Sequence, residues 1–161
     1  MNCPNCGGGL LPVGNRSYFK CPYCETFHFP EETEDGVALL DRPSKLICPV
    51  CADPLTVAAV GGQEVRYCEG CRGILVGTES FPSIVETRRA ELGTQPRCEP
   101  FAPEELRRRV DCPRCGATME THPYHAGGNA VIDTCSACDL IWLDAGELAV
   151  IARYPAHAAM V

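Results

Sequence analysis

Apolar positions in this chain come in short runs, and the runs recur in one order. Leu10 to Val13 and Arg16 to Lys20 flank Gly14-Asn15, and Leu55 to Val60 and Gln63 to Tyr67 flank Gly61-Gly62. A third extended stretch is broken at Gly127-Gly128-Asn129. Such dipeptides supply the positive φ that tight hairpin turns require, so three hairpins are predicted. Each is followed by a three-residue apolar or aromatic run: Phe27-His28-Phe29, Ile74-Leu75-Val76 and Ile141-Trp142-Leu143. These read as third strands. The period then changes: Phe81, Ile84, Val85 and Arg88 stand at helical spacing, predicting a helix from about Ser80. Asp144 and Glu147 have the spacing of a capping box ahead of Leu148 and Ile151, predicting a second helix. Between them, Pro103 to Arg109 predicts a short helix inside a proline-rich stretch, and Val37 to Leu40 is expected to dock on a neighbour.

The cysteines frame every hairpin. Cys3-x2-Cys6 and Cys21-x2-Cys24 are 14 residues apart, Cys48-x2-Cys51 and Cys68-x2-Cys71 are 16 apart, and Cys112-x2-Cys115 and Cys135-x2-Cys138 are 19 apart. Pro4, Pro49 and Pro113 follow the leading cysteines, where a fixed φ suits the opening of a tight loop. Two Cys-x-x-Cys loops at the ends of a hairpin supply four sulfurs for a tetrahedral zinc site. Three zinc ions per chain are therefore expected, on Cys3/Cys6/Cys21/Cys24, Cys48/Cys51/Cys68/Cys71 and Cys112/Cys115/Cys135/Cys138. Iron suits the same spacing, but three redox irons in a linker-rich chain is the less economical idea. Gly7 and Gly116, just after the first pairs, fit a positive-φ position. Ala52 in that place predicts a differently shaped loop in the second unit.

The third unit also carries CPRCG at Cys112 to Gly116 and IWLDAGEL at Ile141 to Leu148. With its two cysteine pairs it resembles the bacterial zinc-ribbon family named after the TFIIB-type transcription-factor zinc finger. The likeness is clearest over 112–148, weaker over 48–92, and limited to cysteine spacing over 3–29. That family usually has Gly-Gly after the second pair, where this chain has Asp139-Leu140. The resemblance implies zinc binding; a likeness in fold does not by itself imply DNA binding.

The expected fold is small, metal-stapled and mainly β: three tandem rubredoxin-like zinc ribbons with short helices after the second and third. The expected boundaries are ribbon 1 at 1–30, an acidic linker at 31–46 and ribbon 2 with its helix at 47–92. A second linker follows at 93–110, ribbon 3 with its helix at 111–154, and a tail at 155–161. Composition agrees. Without its 13 cysteines the 45% apolar fraction falls to roughly a third, too little for a large core, and such modules need staples.

Charge narrows the function. The formal charge is −7, and three Zn²⁺ ions on four thiolates each would lower it to about −13. Nucleic-acid affinity comes mainly from Lys and Arg on phosphates, so nucleic acid is the disfavoured partner. Arg107-Arg108-Arg109 is the one candidate basic patch, to be weighed against a solvated helix face offset by Glu104 and Glu105. No apolar stretch approaches the length of a membrane span. The opening MNCPNC is a ligand pair rather than a leader, so a cytoplasmic chain with reduced thiols is expected.

His28 reads as a strand residue, and His122 and His125 lie near an already complete set of four cysteines. His157 carries no signal. Cys98 is left over and reads as a free thiol. No nucleophile–base pair or open three-ligand metal site is legible, so no catalysis is expected. The reading is a zinc-binding adapter that contacts another protein; Trp142, Leu148 and Ile151 either pack down on their own hairpin, against Val131 and Met119, or stay partly exposed as the binding face. The alternatives are a nucleic-acid or transcription-associated factor and, more weakly, a thiol redox or zinc-release sensor.

Overall fold

A computed structural model of the chain describes residues 1–12, 19–25, 27–28, 35–94, 101–124 and 130–153. Gly14-Asn15, Cys98, His125, Gly127 to Asn129, His157 and the tail at 155–161 lie outside the described residues. The chain divides into two compact units, Met1–Thr33 and Glu34–Val161.

The first unit is a three-stranded antiparallel sheet, β1 (Leu11–Pro12), β2 (Phe19–Lys20) and β3 (Phe27–His28), in that order. Phe19 pairs with His28, so the run after the second cysteine pair is a third strand as expected.

The second unit joins ribbons 2 and 3 in one seven-stranded sheet. Its strands are β4 (Ala38–Ile47), β5 (Pro54–Val60), β6 (Gln63–Tyr67), β7 (Ile74–Gly77), β8 (Glu120–Pro123), β9 (Val131–Cys135) and β10 (Leu140–Leu143). The spatial order is β4-β5-β6-β7-β10-β9-β8. Gly61 and Gly62 make the β5–β6 turn with φ of +54° and +76°, the pair of left-handed residues a two-residue hairpin needs.

The sheet's centre is where the two ribbons meet. Leu140 pairs with Gly77, Ile141 with Val76, Trp142 with Leu75 and Leu143 with Ile74. Matching Cys68/Cys71 onto Cys135/Cys138 makes Leu75 the counterpart of Trp142, and these two counterparts face each other. The pairing is therefore locally twofold, with its axis at the Leu75–Trp142 pair, in the self-complementary manner of a symmetric dimer. Third strands are free edges in isolated ribbons; here each covers the other, which removes two unpaired ladders.

One expectation is corrected. Residues 31–46 were expected to form a linker, yet 38–47 form the edge strand β4, with Val37 and Leu39 buried. Pro43 and two register shifts against β5 disguised it, since proline and bulges are tolerated only at an edge. The docking expected of Val37 to Leu40 takes the form of strand pairing, Ala38 to Ala59 and Leu39 to Ala58. The arrangement of ribbons 2 and 3, which the sequence left open, is a single sheet that runs through both.

Helix α1 (Phe81–Leu92) buries Phe81, Ile84, Val85 and Arg88, the stripe read from the sequence. Helix α2 (Glu147–Arg153) buries Leu148, Ala149, Ile151 and Ala152 and packs on α1. Arg89 of α1 donates to the carbonyls of Ala152 at 3.0 Å and Ile151 at 3.4 Å, satisfying the open C-terminal end of α2. Pro103–Arg107 is a single 3₁₀ turn.

A separate apolar cluster contains Leu55, Leu75, Met119, Leu140 and Trp142 together with Cys48, Cys68, Cys112 and Cys135. Both cysteine groups of this unit thus share one core. Trp142 is 0% exposed, Leu148 1% and Ile151 2%. Of the two readings of these residues, burial is the one observed: Trp142 packs in this cluster, and Leu148 and Ile151 lie on the buried face of α2. The indole lies on Gly73 of ribbon 2, where a β-carbon would overlap it.

Candidate metal centres

Each ribbon builds its ligand loops the same way. The residue after a Cys-x-x-Cys pair returns its N–H to the carbonyl of the leading cysteine. Gly7 bonds Cys3 at 2.8 Å, Ala52 bonds Cys48 at 3.0 Å and Gly116 bonds Cys112 at 2.9 Å. Glu25 to Cys21 at 2.9 Å and Arg72 to Cys68 at 2.8 Å repeat the bond in the second loops. All need positive φ: +80° at Gly7, +77° at Gly116, +61° at Ala52, +60° at Glu25, +64° at Arg72 and +53° at Asp139. The different loop expected at Ala52 is therefore corrected. The loop geometry outweighs the cost of about 1–2 kcal/mol for a side chain in this region.

The loops bring together Cys3/Cys6/Cys21/Cys24, Cys48/Cys51/Cys68/Cys71 and Cys112/Cys115/Cys135/Cys138, with the sulfurs of each group within 4.8 Å of one another. The pairs Cys3–Cys24, Cys6–Cys21, Cys48–Cys71 and Cys115–Cys135 lie at 3.6, 3.5, 3.6 and 3.7 Å. A tetrahedron with Zn–S bonds of about 2.3 Å has S–S edges of roughly 3.8 Å. In all three groups the first and third cysteines are buried, the second is exposed and the fourth is intermediate.

The donor set fits zinc. Without a cation, burial and the neighbouring Cys48 and Cys68 thiols push the Cys71 thiol up; a bound divalent ion reverses that by favouring the thiolates. Backbone N–H groups of Val50 and Cys51 point at Cys48 Sγ at 3.4 and 3.5 Å, and the N–H of Cys71 points at Cys68 Sγ at 3.5 Å. Such donors spread the negative charge of a four-thiolate site.

His28 remains a strand residue, but its Nε2 lies 3.3 Å from Cys3 Sγ. Its place opposite Leu75 and Trp142 in the repeat gave no hint of that contact. Both ring nitrogens of His122 have partners outside the four-cysteine group: Nδ1 lies near Pro123 O at 3.1 Å and Nε2 near Thr134 Oγ1 at 3.2 Å.

Beside the third centre lies a polar cluster the sequence did not announce. Arg108 pairs with Asp133 at 2.9 Å and with Asp144. Asp133, fully buried, also accepts from Thr121 Oγ1 at 2.5 Å. Burial raises the Asp133 carboxyl, against the opposing pull of Thr121 and Arg108. The signal available was Asp133 itself, an acid on the inward side of the strand VIDTC. Trp142 Nε1 donates to Asp144 at 3.2 Å, and Asp144 N–H donates to Glu147 at 2.7 Å. Burial pushes Glu147 up to about 9. Only half of the expected capping box therefore forms. The forward half comes from Asp35, whose buried carboxylate accepts from Gly146 N at 2.8 Å and Ala149 N at 3.0 Å. Arg107-Arg108-Arg109 is not a uniform basic face: Arg107 and Arg109 are exposed, but Arg108 holds this cluster.

Three such four-cysteine centres on β hairpins define a zinc-ribbon protein. The family model described as transcription factor zinc-finger matches residues 47–87 and 111–153, together just over half of the chain. The chain belongs to that family. No curated protein and no solved structure matches it.

Proposed function

We propose that this chain is a zinc-stapled adapter that binds another protein, with its metal centres structural rather than catalytic. Four thiolates close each centre, leaving no position for water or substrate. The observation that carries the choice against nucleic acid is the engagement of Arg108 by Asp133 and Asp144. It removes the middle residue from the single run of three basic residues in a chain of charge −7. No helix among the described residues is long and apolar enough to cross a membrane.

The family's transcription-factor description supports nucleic-acid association as the second reading. Affinity capture from the native host, with and without nuclease, separates the two. An adapter keeps its protein partners after nuclease. A partner set that disappears with nuclease, or micromolar duplex DNA binding that falls steeply with salt, would overturn the adapter reading.

A further inference from the structure

One position recurs in all three ribbons with the same register and a different residue. His28, Leu75 and Trp142 each stand four residues after the last cysteine of their ribbon. They pair across the sheet with Phe19, Arg66 and Asp133, each two residues before the third cysteine. The leading cysteines Cys3, Cys48 and Cys112 are equally buried, at 2, 3 and 2% exposure.

What surrounds those three sulfurs differs. Leu75 and Trp142 share one apolar cluster with Cys48 and Cys112, so hydrocarbon shields both centres of the second unit. Leucine has no polar side-chain atom, and Trp142 commits its indole N–H to Asp144. The first unit has no such core: among its described residues only Cys3 and Cys21 are buried. Its three strands are two residues long each. At this position it carries a ring nitrogen instead, His28 Nε2, 3.3 Å from Cys3 Sγ.

Four thiolates around one divalent ion leave a net charge of about −2 on the centre. A buried sulfur bears its share inside an apolar shell, or by accepting hydrogen bonds that spread the charge. Ribbon 2 adds the second means to the first, through the N–H groups of Val50 and Cys51 on Cys48 Sγ. A metal-bound thiolate only accepts, so the nitrogen beside Cys3 Sγ is the one that carries hydrogen. An Nε2 that carries hydrogen has no lone pair for the metal.

We propose that His28 is a positioning residue of the first metal centre. It donates Nε2–H to the Cys3 thiolate, fixes that sulfur and takes on part of its charge. In a ribbon without an apolar core it supplies by hydrogen bonding what Leu75 and Trp142 supply by packing. The ligands remain the four cysteines.

The test uses the full chain loaded with cadmium-113, a soft ion that accepts the same four thiolates and gives one NMR signal per centre. A coupling is expected between the cadmium of the first centre and the His28 Nε2 proton, carried through the hydrogen bond and the sulfur. His28→Phe keeps a ring and removes the donor. It should weaken the first centre about tenfold against a competing chelator and leave the other two unchanged. No coupling, or a ring protonated at Nδ1 alone, would overturn the donor role. A one-bond coupling between cadmium and Nε2 would overturn it too, by making His28 a ligand. So would a first centre in His28→Phe that holds cadmium as tightly as the native one. If His28→Phe fails to fold its ribbon, the coupling in the native chain decides alone.

Discussion

Trp142→Ala tests the joint between the two ribbons. The side chain is fully buried, lies on Gly73 of the other ribbon and donates one hydrogen bond to Asp144. Burying a tryptophan removes roughly 150–250 Å² from water, about 4–6 kcal/mol at 25 cal/mol per Å². Measured Trp-to-Ala costs in cores run at about 3–5 kcal/mol because the site partly relaxes. Losing the indole donor adds about 1 kcal/mol. A total near 4–5 kcal/mol is expected, a large share of the stability of a domain this size. The loss should appear in both ribbons, since the residue stands on the local twofold axis. Urea unfolding followed by far-ultraviolet circular dichroism gives the size; amide exchange gives the distribution. Zinc release to a colorimetric chelator should quicken for the second and third centres together. A cost under about 1 kcal/mol, or protection lost in ribbon 3 with ribbon 2 untouched, would refute the shared core.

Elemental analysis should give three zincs per chain, still three in Cys98→Ser; two would mean that the ligand sets are wrongly drawn. Asp35→Ala should cost about 2–3 kcal/mol by leaving two N–H groups of α2 without their acceptor, and Asp35→Asn less; chemical denaturation measures both, and equal, negligible costs would remove Asp35 as the cap. Glu147, raised in the folded chain to about 9 from 4.5, stabilises most at low pH and loses that contribution as pH rises through the window between those values. Glu147→Gln should therefore gain on the native protein as pH rises from 6 to 9, by up to about 4 kcal/mol across that range; a constant difference across it would contradict the raised carboxyl.

The ligand loops, all three hairpin pairings and both helices were legible in the chain because local spacing dictates them. Cys-x-x-Cys closes its own loop, Gly61-Gly62 sets its own turn, and a 3.6-residue stripe from Phe81 to Arg88 marks its own buried face. Even where the residue type misled, as at Ala52, the loop imposed its conformation. What tertiary structure decided is every choice between distant partners. A third strand read alone is an edge, and nothing in ILVG or LIWL says that each will cover the other. The fold also settles the fate of Trp142: its indole comes to lie on Gly73 of the other ribbon, inside the shared core. The same holds for charge. Asp35 reads as part of an acidic stretch until the fold sets it at the start of α2, and Arg108 as one of three arginines until Asp133 and Asp144 close on it. Burying a charge demands a partner, and only the folded chain supplies one from more than a hundred residues away.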